Sequence, residues 1–379
     1  MTSLSGLTWD HPRGFNALDA AARLEKSRGG IEIQWSRQPL EGFEEHPIEE
    51  LCAGYDLVVL DHPHIGEAVK SRSLVPLEDV LTNEQIADIS RRTIGACFDS
   101  YRYAGKHWAL PLDAAAQVMA NRPDAVEPPE TWDGIVTAAA KAPTVLSLAG
   151  PHAALTLFSI ALTLSGRLAV DGRLFQAGVG EAALEIMQQI HDRAPAVARS
   201  LNPIGILQTM AETDEIALCP LIFGYVNYAS SDIRLPAHRL AFADAPVSKG
   251  LGRRGSILGG TGIGLTKRCN VTPELVRHLI WLMGNDAQMR FIPEHDGQPS
   301  ARDAWRDKNV NQAWGEFYRS TEDTLEHAHV RPRYAGYIAF QKRASQIVRD
   351  GLEGSRSHAA TIAALEQAYI SSAPMTQER

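Results

Sequence analysis

Short apolar runs alternate with amphipathic segments along the first third of the chain. The run YDLVVL at residues 55–60 is apolar on both faces, which is typical of a strand in a parallel sheet covered by helices. Apolar residues with a helical repeat fill the segments between such runs. The pattern predicts βαβ units and an α/β layer, with strands at residues 7–9, 31–35, 55–60 and 108–112 and helices at residues 16–26 and 49–53.

The rest of the chain contains more helix than strand. Residues 181–193 show the clearest amphipathic repeat, because Ala183, Ile186, Met187 and Ile190 fall on one helical face. We therefore expect a second α/β lobe and a helical tail, with strands at 216–225 and 240–245 and helices at 134–142, 152–165, 181–193, 272–284, 286–292, 309–328, 334–351 and 358–370.

Composition narrows the class of protein. At about 150 residues per domain, the 379 residues correspond to two or three domains, and a hydrophobic fraction of 44% excludes a disordered chain. The net charge of −8 argues against a nucleic-acid binder, which needs a basic face. No apolar run approaches the ~18 residues of a membrane span. The four cysteines form no CxxC pair, so they indicate neither a zinc knuckle nor a disulfide framework.

The first cluster of polar residues follows the first predicted strand. It comprises Trp9, Asp10, His11 and Arg13, an aromatic ring beside an acid, an imidazole and a guanidinium. Ligands of open α/β sheets bind beyond the carboxyl ends of strands, so this is a place where a site is expected. The alternative is a turn whose polar residues face water.

The second cluster, Asp61, His62 and His64, follows the most apolar strand. On an extended chain the His-x-His spacing places both imidazoles on one side, which suits a metal ion. His11 or His295 would complete such a site, and the chain would then be a metal-dependent enzyme. The alternative is that these residues form hydrogen bonds in a cleft or cap a helix. No HExxH or CxxC motif supports the metal.

The later motifs indicate recognition more than catalysis. The glycine-dense run at residues 256–265 fits neither GxGxxG nor a Walker A loop, because Leu265 stands where each motif needs another residue. Arg331 and Tyr337, with Gln298, suit an anion or a ring, or else form a solvated basic turn. No GxSxG elbow and no pair of carboxylates stands out. We therefore expect no catalytic residue, no cofactor and no bound metal.

Five motifs, in this order and spacing, resemble the extracellular solute-binding proteins of ABC importers, in the maltose-binding-like family 1 group with the type 2 periplasmic binding fold. They are YDLVVLDHPHIG near residue 60, GKHWALPLDAAAQVMANRPD at 105–124, PPETWDGI at 128–135, GGTGIGLTK at 259–267 and GQPSARDAW at 297–305.

The resemblance implies an α/β fold of two lobes, joined by a hinge and enclosing a ligand cleft. The implied lobes are residues 1–110 plus 259–308 and residues 111–258 plus 309–379, with crossings near 110–113, 255–260 and 305–311. The implied ligand-binding residues are Trp9, Asp10, His11, Arg13, Asp61, His62, Asp113, Tyr225, Gly260, Thr261, Gln298, Arg331 and Tyr337.

The resemblance also implies a function without turnover. We expect a monomer that captures a small polar ligand for import, with ABC permease subunits as possible partners, or a cytoplasmic protein that binds or senses its ligand. The sequence as written shows no secretory signal. A periplasmic location follows if a signal peptide was trimmed, and a cytoplasmic one if the sequence is complete.

Histidine and arginine collect among the implied ligand-binding residues, so we expect a locally positive cleft. An anionic, carboxylate-bearing ligand is the first expectation and a sugar-like ligand the second. Arg13 or Arg331 is the expected bidentate partner of the carboxylate.

Overall fold

A computed structural model describes residues 3–170, 172–230 and 238–372 of the chain. The first 113 residues alternate strand and helix, as expected from the apolar pattern. Their elements are β1 (Ser3–Trp9), α1 (Pro12–Ser27), β2 (Glu32–Gln38), α2 (Leu40–Glu45), α3 (Ile48–Gly54), β3 (Leu57–Leu60), α4 (Ile65–Lys70), α5 (Asn83–Arg92), β4 (Arg102–Tyr103), β5 (Lys106–His107) and β6 (Leu110–Asp113).

The remaining elements are mostly helical. They are β7 (Gln117–Asn121), α6 (Trp132–Ala139), α7 (His152–Ser165), α8 (Val179–His191), α9 (Pro203–Glu212), β8 (Leu218–Phe223), β9 (Ala241–Ala243), β10 (Thr261–Leu265), α10 (Pro273–Leu282), a π-helical turn (Ala287–Phe291), α11 (Ile292–Glu294), α12 (Arg302–Arg306), α13 (Lys308–Ala313), α14 (Phe317–Glu326), α15 (Tyr337–Leu352) and α16 (His358–Ser372).

Two larger sheets organise these elements, and β4 and β5 form a separate two-stranded sheet. The first has the strand order β2-β1-β3-β10-β6, with β1 parallel to β2 and β3, and with β10 antiparallel to β3 and β6. The second has the order β8-β7-β9, all antiparallel. The chain passes from the first sheet to the second between β6 and β7 and returns between β9 and β10. The exact limits of the two lobes stay a prediction.

Each lobe has its own apolar core. Leu57, Val59 and Ile263 of the first sheet are buried against helices that include α1 and α10. In the second lobe, α7 is buried nearly all round and packs against α8 and α15. None of the helices in the described part of the chain has the length and apolar content that a membrane span requires.

The structure corrects several sequence-based boundaries. The single helix expected at 309–328 is broken into α13 and α14, because Gly315 and Glu316 take positive φ angles of 59° and 62°. The strand expected at 108–112 begins at Leu110. The expected extended chain at His62–His64 is wrong: these residues form a 3-10 turn with Pro63 inside it, capped by Asp61, whose side chain accepts a hydrogen bond from the His62 N–H.

Candidate functional site

One edge of the first sheet collects the polar residues that follow its strands. β1 and β3 are parallel, and β10 runs antiparallel between β3 and β6. The carboxyl ends of β1, β3 and β6 therefore meet the amino end of β10. This topology brings Trp9, Asp61, Asp113 and Thr261 to the same edge, where a ligand of an open α/β sheet is expected.

Arg13 and Asp113 form a buried bidentate ion pair at this edge. The Arg13 Nε and Nη2 groups donate to the two Asp113 carboxylate oxygens at 2.5 and 2.9 Å, and the side chains are 4% and 3% exposed. Burial alone would lower the pKa of Arg13, but the charge and hydrogen bonds of Asp113 raise it. The backbone N–H of Thr261 donates to the same carboxylate at 2.9 Å. The Arg13 charge is therefore matched within the protein.

Arg13 also joins the two sheets. Its Nη1 donates to the carbonyl of Gly224, which follows β8, at 3.0 Å. The guanidinium carbon lies 4.7 Å from the centre of the Tyr225 ring and 5.9 Å from that of Trp9. Cation–π contacts of this kind hold a guanidinium against aromatic faces. Arg13 thus fixes the position of the segment after β8 relative to the first sheet.

His11 acts as a helix cap between these groups. Its Nδ1 accepts a hydrogen bond from the Arg13 backbone N–H at 3.1 Å, at the start of α1, and its ring meets Tyr225 edge-on at 4.7 Å. Burial, followed by the charge of Arg13, lowers the pKa of His11 to about 3. The imidazole is therefore neutral near pH 7, and it is not one of the cations that the sequence led us to expect.

Arg331 and Asp61 form a second buried ion pair. The Arg331 Nη2 donates to Asp61 Oδ2 at 2.5 Å and its Nη1 donates to Gln341 Oε1 at 3.2 Å, while the side chain of Arg331 is 3% exposed. Burial would raise the pKa of Asp61, but the charge of Arg331 and the hydrogen bond from His62 hold it well below its usual range. The second arginine is therefore also neutralised by a carboxylate of the protein, and the expected locally positive cleft is not what these two pairs form.

His62 and His64 lie beside this pair as neutral rings. The Nε2 of His62 accepts from the Arg331 backbone N–H at 3.2 Å. Burial lowers the pKa of each histidine to about 4, with the charge of Arg331 acting in the same direction. These rings therefore serve as hydrogen-bonding groups in the buried region.

The sequence-based hypothesis of a metal site finds no support in the described residues. They contain no group of three or more His, Cys, Asp or Glu side chains arranged to hold a metal ion. His11 is committed to capping α1, and His295 lies against its own helix, with Nδ1 2.7 Å from the Phe291 carbonyl. The turn at Pro63 removes the extended geometry on which the hypothesis depended.

Glu44 and His152 make a contact that sequence reasoning missed. Glu44 lies on α2 and His152 begins α7, and the Glu44 Oε1 is 3.2 Å from the His152 Nε2. The His152 ring also meets Phe223 edge-on at 5.7 Å. A buried histidine at the start of an apolar helix, directly after Pro151, is the signal that could have drawn attention to it.

Four nitrogen atoms of the residues described above are buried with neither a hydrogen-bond partner nor a carboxylate contact among the described residues. A buried polar group without a partner costs about 1–3 kcal/mol, so such groups are uncommon unless they have a role. The four atoms are Trp9 Nε1, His64 Nδ1, His152 Nδ1 and Arg331 Nε.

Four of the ligand-binding residues implied by the resemblance either lie outside the buried polar group or serve the packing of the protein. Asp10 is exposed and pairs with Arg37 at 3.0 Å, so it lies apart from the buried group. Gln298 uses both ends of its amide on the backbone, donating to Ala114 O and accepting from Val226 N. Gly260 has a φ of +85°, and a Cβ there would lie 2.5 Å from the Asp113 carbonyl. Tyr337 is buried in the packing of the second lobe.

Comparison with known proteins identifies the family. The family model described as "Bacterial extracellular solute-binding protein" matches residues 19–215, more than half of the chain. The chain belongs to the bacterial extracellular solute-binding proteins. The resemblance of its motifs to this family is thus confirmed, and small solutes are what this family binds. No curated protein sequence is similar enough to match the chain.

Several solved structures have the same two-lobed α/β fold, and each of them aligns with nearly the whole chain. The maltose-bound MalE3 of T. maritima has a TM-score of 0.81 at 17% identity, covering 97% of this chain and 98% of its own. An ABC transporter solute-binding protein of Agrobacterium radiobacter K84, in complex with ribitol, has a TM-score of 0.80 at 19% identity, covering 98% of each chain. Another from Thermotoga lettingae, bound with α-D-tagatose, scores 0.80 at 16% identity, covering 98% of this chain and 99% of its own.

Proposed function

We propose that this solute-binding protein captures a small, neutral, polyhydroxylated solute between its two lobes. The observation that carries the proposal is the state of the two buried arginines. Arg13 and Arg331 are each held by a carboxylate of the protein, Asp113 and Asp61, so neither guanidinium needs a ligand carboxylate to balance its charge. This preference reverses the order of ligands expected from the sequence, in which an anion came first.

The unpaired nitrogen atoms support a ligand rich in hydroxyl groups. The indole N–H of Trp9 and the Nε–H of Arg331 are donors, whereas a neutral imidazole such as that of His64 donates or accepts according to its tautomer. A hydroxyl group both donates and accepts, so a polyol or sugar satisfies a mixed set of this kind. Three structures with the same fold contain maltose, ribitol and α-D-tagatose as the bound solutes of those proteins.

Closure of the lobes around the ligand is the mechanism that we propose for capture. The lobe limits predicted from the sequence are residues 1–110 plus 259–308 and residues 111–258 plus 309–379, and we propose that the ligand contacts residues of both lobes. A ligand that contacts both lobes favours the closed arrangement over an open one. Delivery to an ABC permease by a monomer is the corresponding role in import.

We further propose that the protein binds without turnover. A general acid or base works best with a pKa near the operating pH. The pKa values of His11, His62 and His64 are lowered to about 3, 4 and 4, which makes these imidazoles weak bases near pH 7. The buried residues are therefore suited to recognition.

Isothermal titration calorimetry tests the neutral-ligand proposal with ribitol, maltose, glucose and gluconate. We expect binding of at least one neutral probe and weaker binding of gluconate than of glucose. The variant Trp9→Phe keeps an aromatic ring and removes the N–H, so it should weaken binding by about tenfold, the equivalent of one hydrogen bond of about 1.4 kcal/mol.

Trp132→Phe is the matched control. Trp132 is also buried with an unpartnered indole N–H, but it begins α6 in the core of the second lobe. We expect this variant to bind the neutral probe as the unmodified protein does. Gluconate binding more tightly than every neutral probe, or equal losses in the two variants, would show that the proposal is wrong.

A further inference from the structure

The short helix α2 carries two glutamates that contact the second lobe. α2 follows β2 and packs against β1 of the first sheet. Glu41 and Glu44 are three residues apart, so their side chains lie on the same face of the helix. Each of them contacts the beginning of a different helix on the other side of the cleft. One helix of the first lobe is thus joined to the second lobe at two points.

Glu41 contacts the residue that caps α9. Its Oε1 accepts a hydrogen bond of 2.8 Å from Asn202 Nδ2, while Asn202 Oδ1 accepts one of 2.9 Å from the Gly205 backbone N–H. The two ends of the Asn202 amide therefore have different partners: its oxygen caps α9 and its nitrogen holds Glu41. Since α9 packs against β8 of the second sheet, this hydrogen bond connects the two lobes.

Glu44 contacts the beginning of α7. Its Oε1 lies 3.2 Å from His152 Nε2, and a Cβ on Gly150 would lie 3.7 Å from its Oε2. The carboxylate therefore lies against the turn that leads into α7. The amino end of a helix carries a partial positive charge, which attracts a carboxylate. Because Glu41 faces the amino end of α9 in the same way, charge complementarity favours both contacts.

The two contacts lie nearer to the surface than the ion pairs of the cleft. Glu41 is exposed and the side chain of Glu44 is 17% exposed, so water can replace the partner of either carboxylate at little cost. The contacts can therefore break and form again as the lobes move. They are also close to the cleft, because the His152 ring meets Phe223, the last residue of β8, edge-on at 5.7 Å.

We propose that α2 is a latch that holds the two lobes closed, with Glu41 and Glu44 as its two points of attachment. The inference rests on the proposed closure of the lobes and adds the element that controls the balance between the closed and the open arrangement. Lobes held partly by the protein's own contacts are closed in a fraction of the molecules before any ligand binds. The same contacts must break before the ligand leaves, so the latch also sets the rate of release.

Small-angle X-ray scattering without ligand tests the latch. The variant Glu41→Ala/Glu44→Ala removes both points of attachment, and alanine is a strong helix former, so α2 should stay intact. Each exposed contact is worth about threefold in an equilibrium constant. The ratio of open to closed molecules should therefore rise about fivefold to tenfold, which increases the radius of gyration. Glu49→Ala/Glu50→Ala, which removes two exposed glutamates of the neighbouring α3, is the matched control and should leave the radius unchanged.

Stopped-flow tryptophan fluorescence measures the release of whichever of ribitol, maltose and glucose binds. The variant Glu41→Ala/Glu44→Ala should release it about fivefold to tenfold faster, and the control variant at the rate of the unmodified protein. Asn202→Ser keeps a residue that caps α9 well, but serine is too short to hold Glu41. Adding Asn202→Ser to Glu41→Ala should not speed release further, because both changes remove the same contact.

The latch would be wrong if the radius of gyration were the same in the unmodified protein and in Glu41→Ala/Glu44→Ala, or if the control variant changed it equally. Faster release at an unchanged radius would show that the glutamates contact the ligand and do not hold the lobes. Additive effects of Glu41→Ala and Asn202→Ser would also overturn the proposal. If none of the three probes binds, the proposed function fails, whereas the scattering comparison still decides whether α2 is a latch.

Discussion

Replacing Asp113 by Asn keeps the shape of the side chain and removes its charge, so the variant isolates what the Arg13–Asp113 ion pair contributes. In the unmodified protein, the two groups share two hydrogen bonds of 2.5 and 2.9 Å. The amide retains one acceptor oxygen but places an N–H donor opposite the guanidinium. Arg13 would thus remain buried with its charge unmatched.

The expected magnitude follows from the burial of the pair. An exposed ion pair is worth about 0–1 kcal/mol, whereas removing one partner of a buried pair costs about 3–5 kcal/mol because a charge is left unpaired. The side chains of Arg13 and Asp113 are 4% and 3% exposed, which places them in the second class. Since Asn keeps one acceptor, we expect Asp113→Asn to lower the free energy of unfolding by about 3 kcal/mol.

Urea unfolding followed by circular dichroism measures this loss, and an unchanged m value shows that the same surface unfolds. Asp19→Asn is the control on α1. It breaks an exposed ion pair with Arg23, whose side chains are 30% and 72% exposed. We expect the control to change the free energy by about 0.5 kcal/mol or less. A loss from Asp113→Asn that is no larger than that of the control would refute the reasoning.

Two further predictions concern the stability of the protein in acid and the close contact between Gly66 and Arg333. His62 and His64 have pKa values of about 4 in the folded protein and about 6.5 when unfolded, so the unfolded chain binds protons first as the pH falls. The free energy of unfolding should be highest above pH 6.5 and should decline towards pH 4, by about 3 kcal/mol for each histidine. The variant His64→Gln should make this decline shallower. An unchanged slope in acid-unfolding curves would contradict the prediction. A Cβ on Gly66 would lie 1.7 Å from the Arg333 carbonyl oxygen. Gly66→Ala should therefore lower both the thermal midpoint and the affinity for the cleft ligand. Gly54→Ala, with nothing within 4 Å, should lower neither, and equal effects of the two would count against the argument.

The gathering of polar residues at one edge of the first sheet could be predicted from the sequence, because it depends on the order of strands and polar residues along the chain. Apolar runs marked the strands, and ligands collect where parallel strands end. That reasoning selected Trp9, Arg13 and Asp61 as candidate site residues, and the family resemblance added Asp113. The structure brings all four to one edge. The same rule misplaced Asp10, because a residue between a strand and a helix can face either the site or the solvent.

The contacts between the lobes could not be predicted in the same way. Glu44 and His152 lie on helices separated by more than 100 residues, and no local pattern pairs them. Their contact depends on how the two lobes meet, which is set by the crossings near β6 and β10. Sequence reasoning therefore had no means of pairing the two residues.

The electrostatics of the cleft could not be predicted from residue types alone, because residue types do not show which charges are paired. The sequence places two arginines among the implied site residues and suggests a positive cleft. Asp61 and Arg331 are 270 residues apart along the chain, yet they form a buried pair with a contact of 2.5 Å. Burial of a charge is tolerated when it is paired and hydrogen-bonded. The fold that buries these arginines also has to supply their carboxylates. Because both arginines are matched within the protein, we propose a neutral solute that forms many hydrogen bonds.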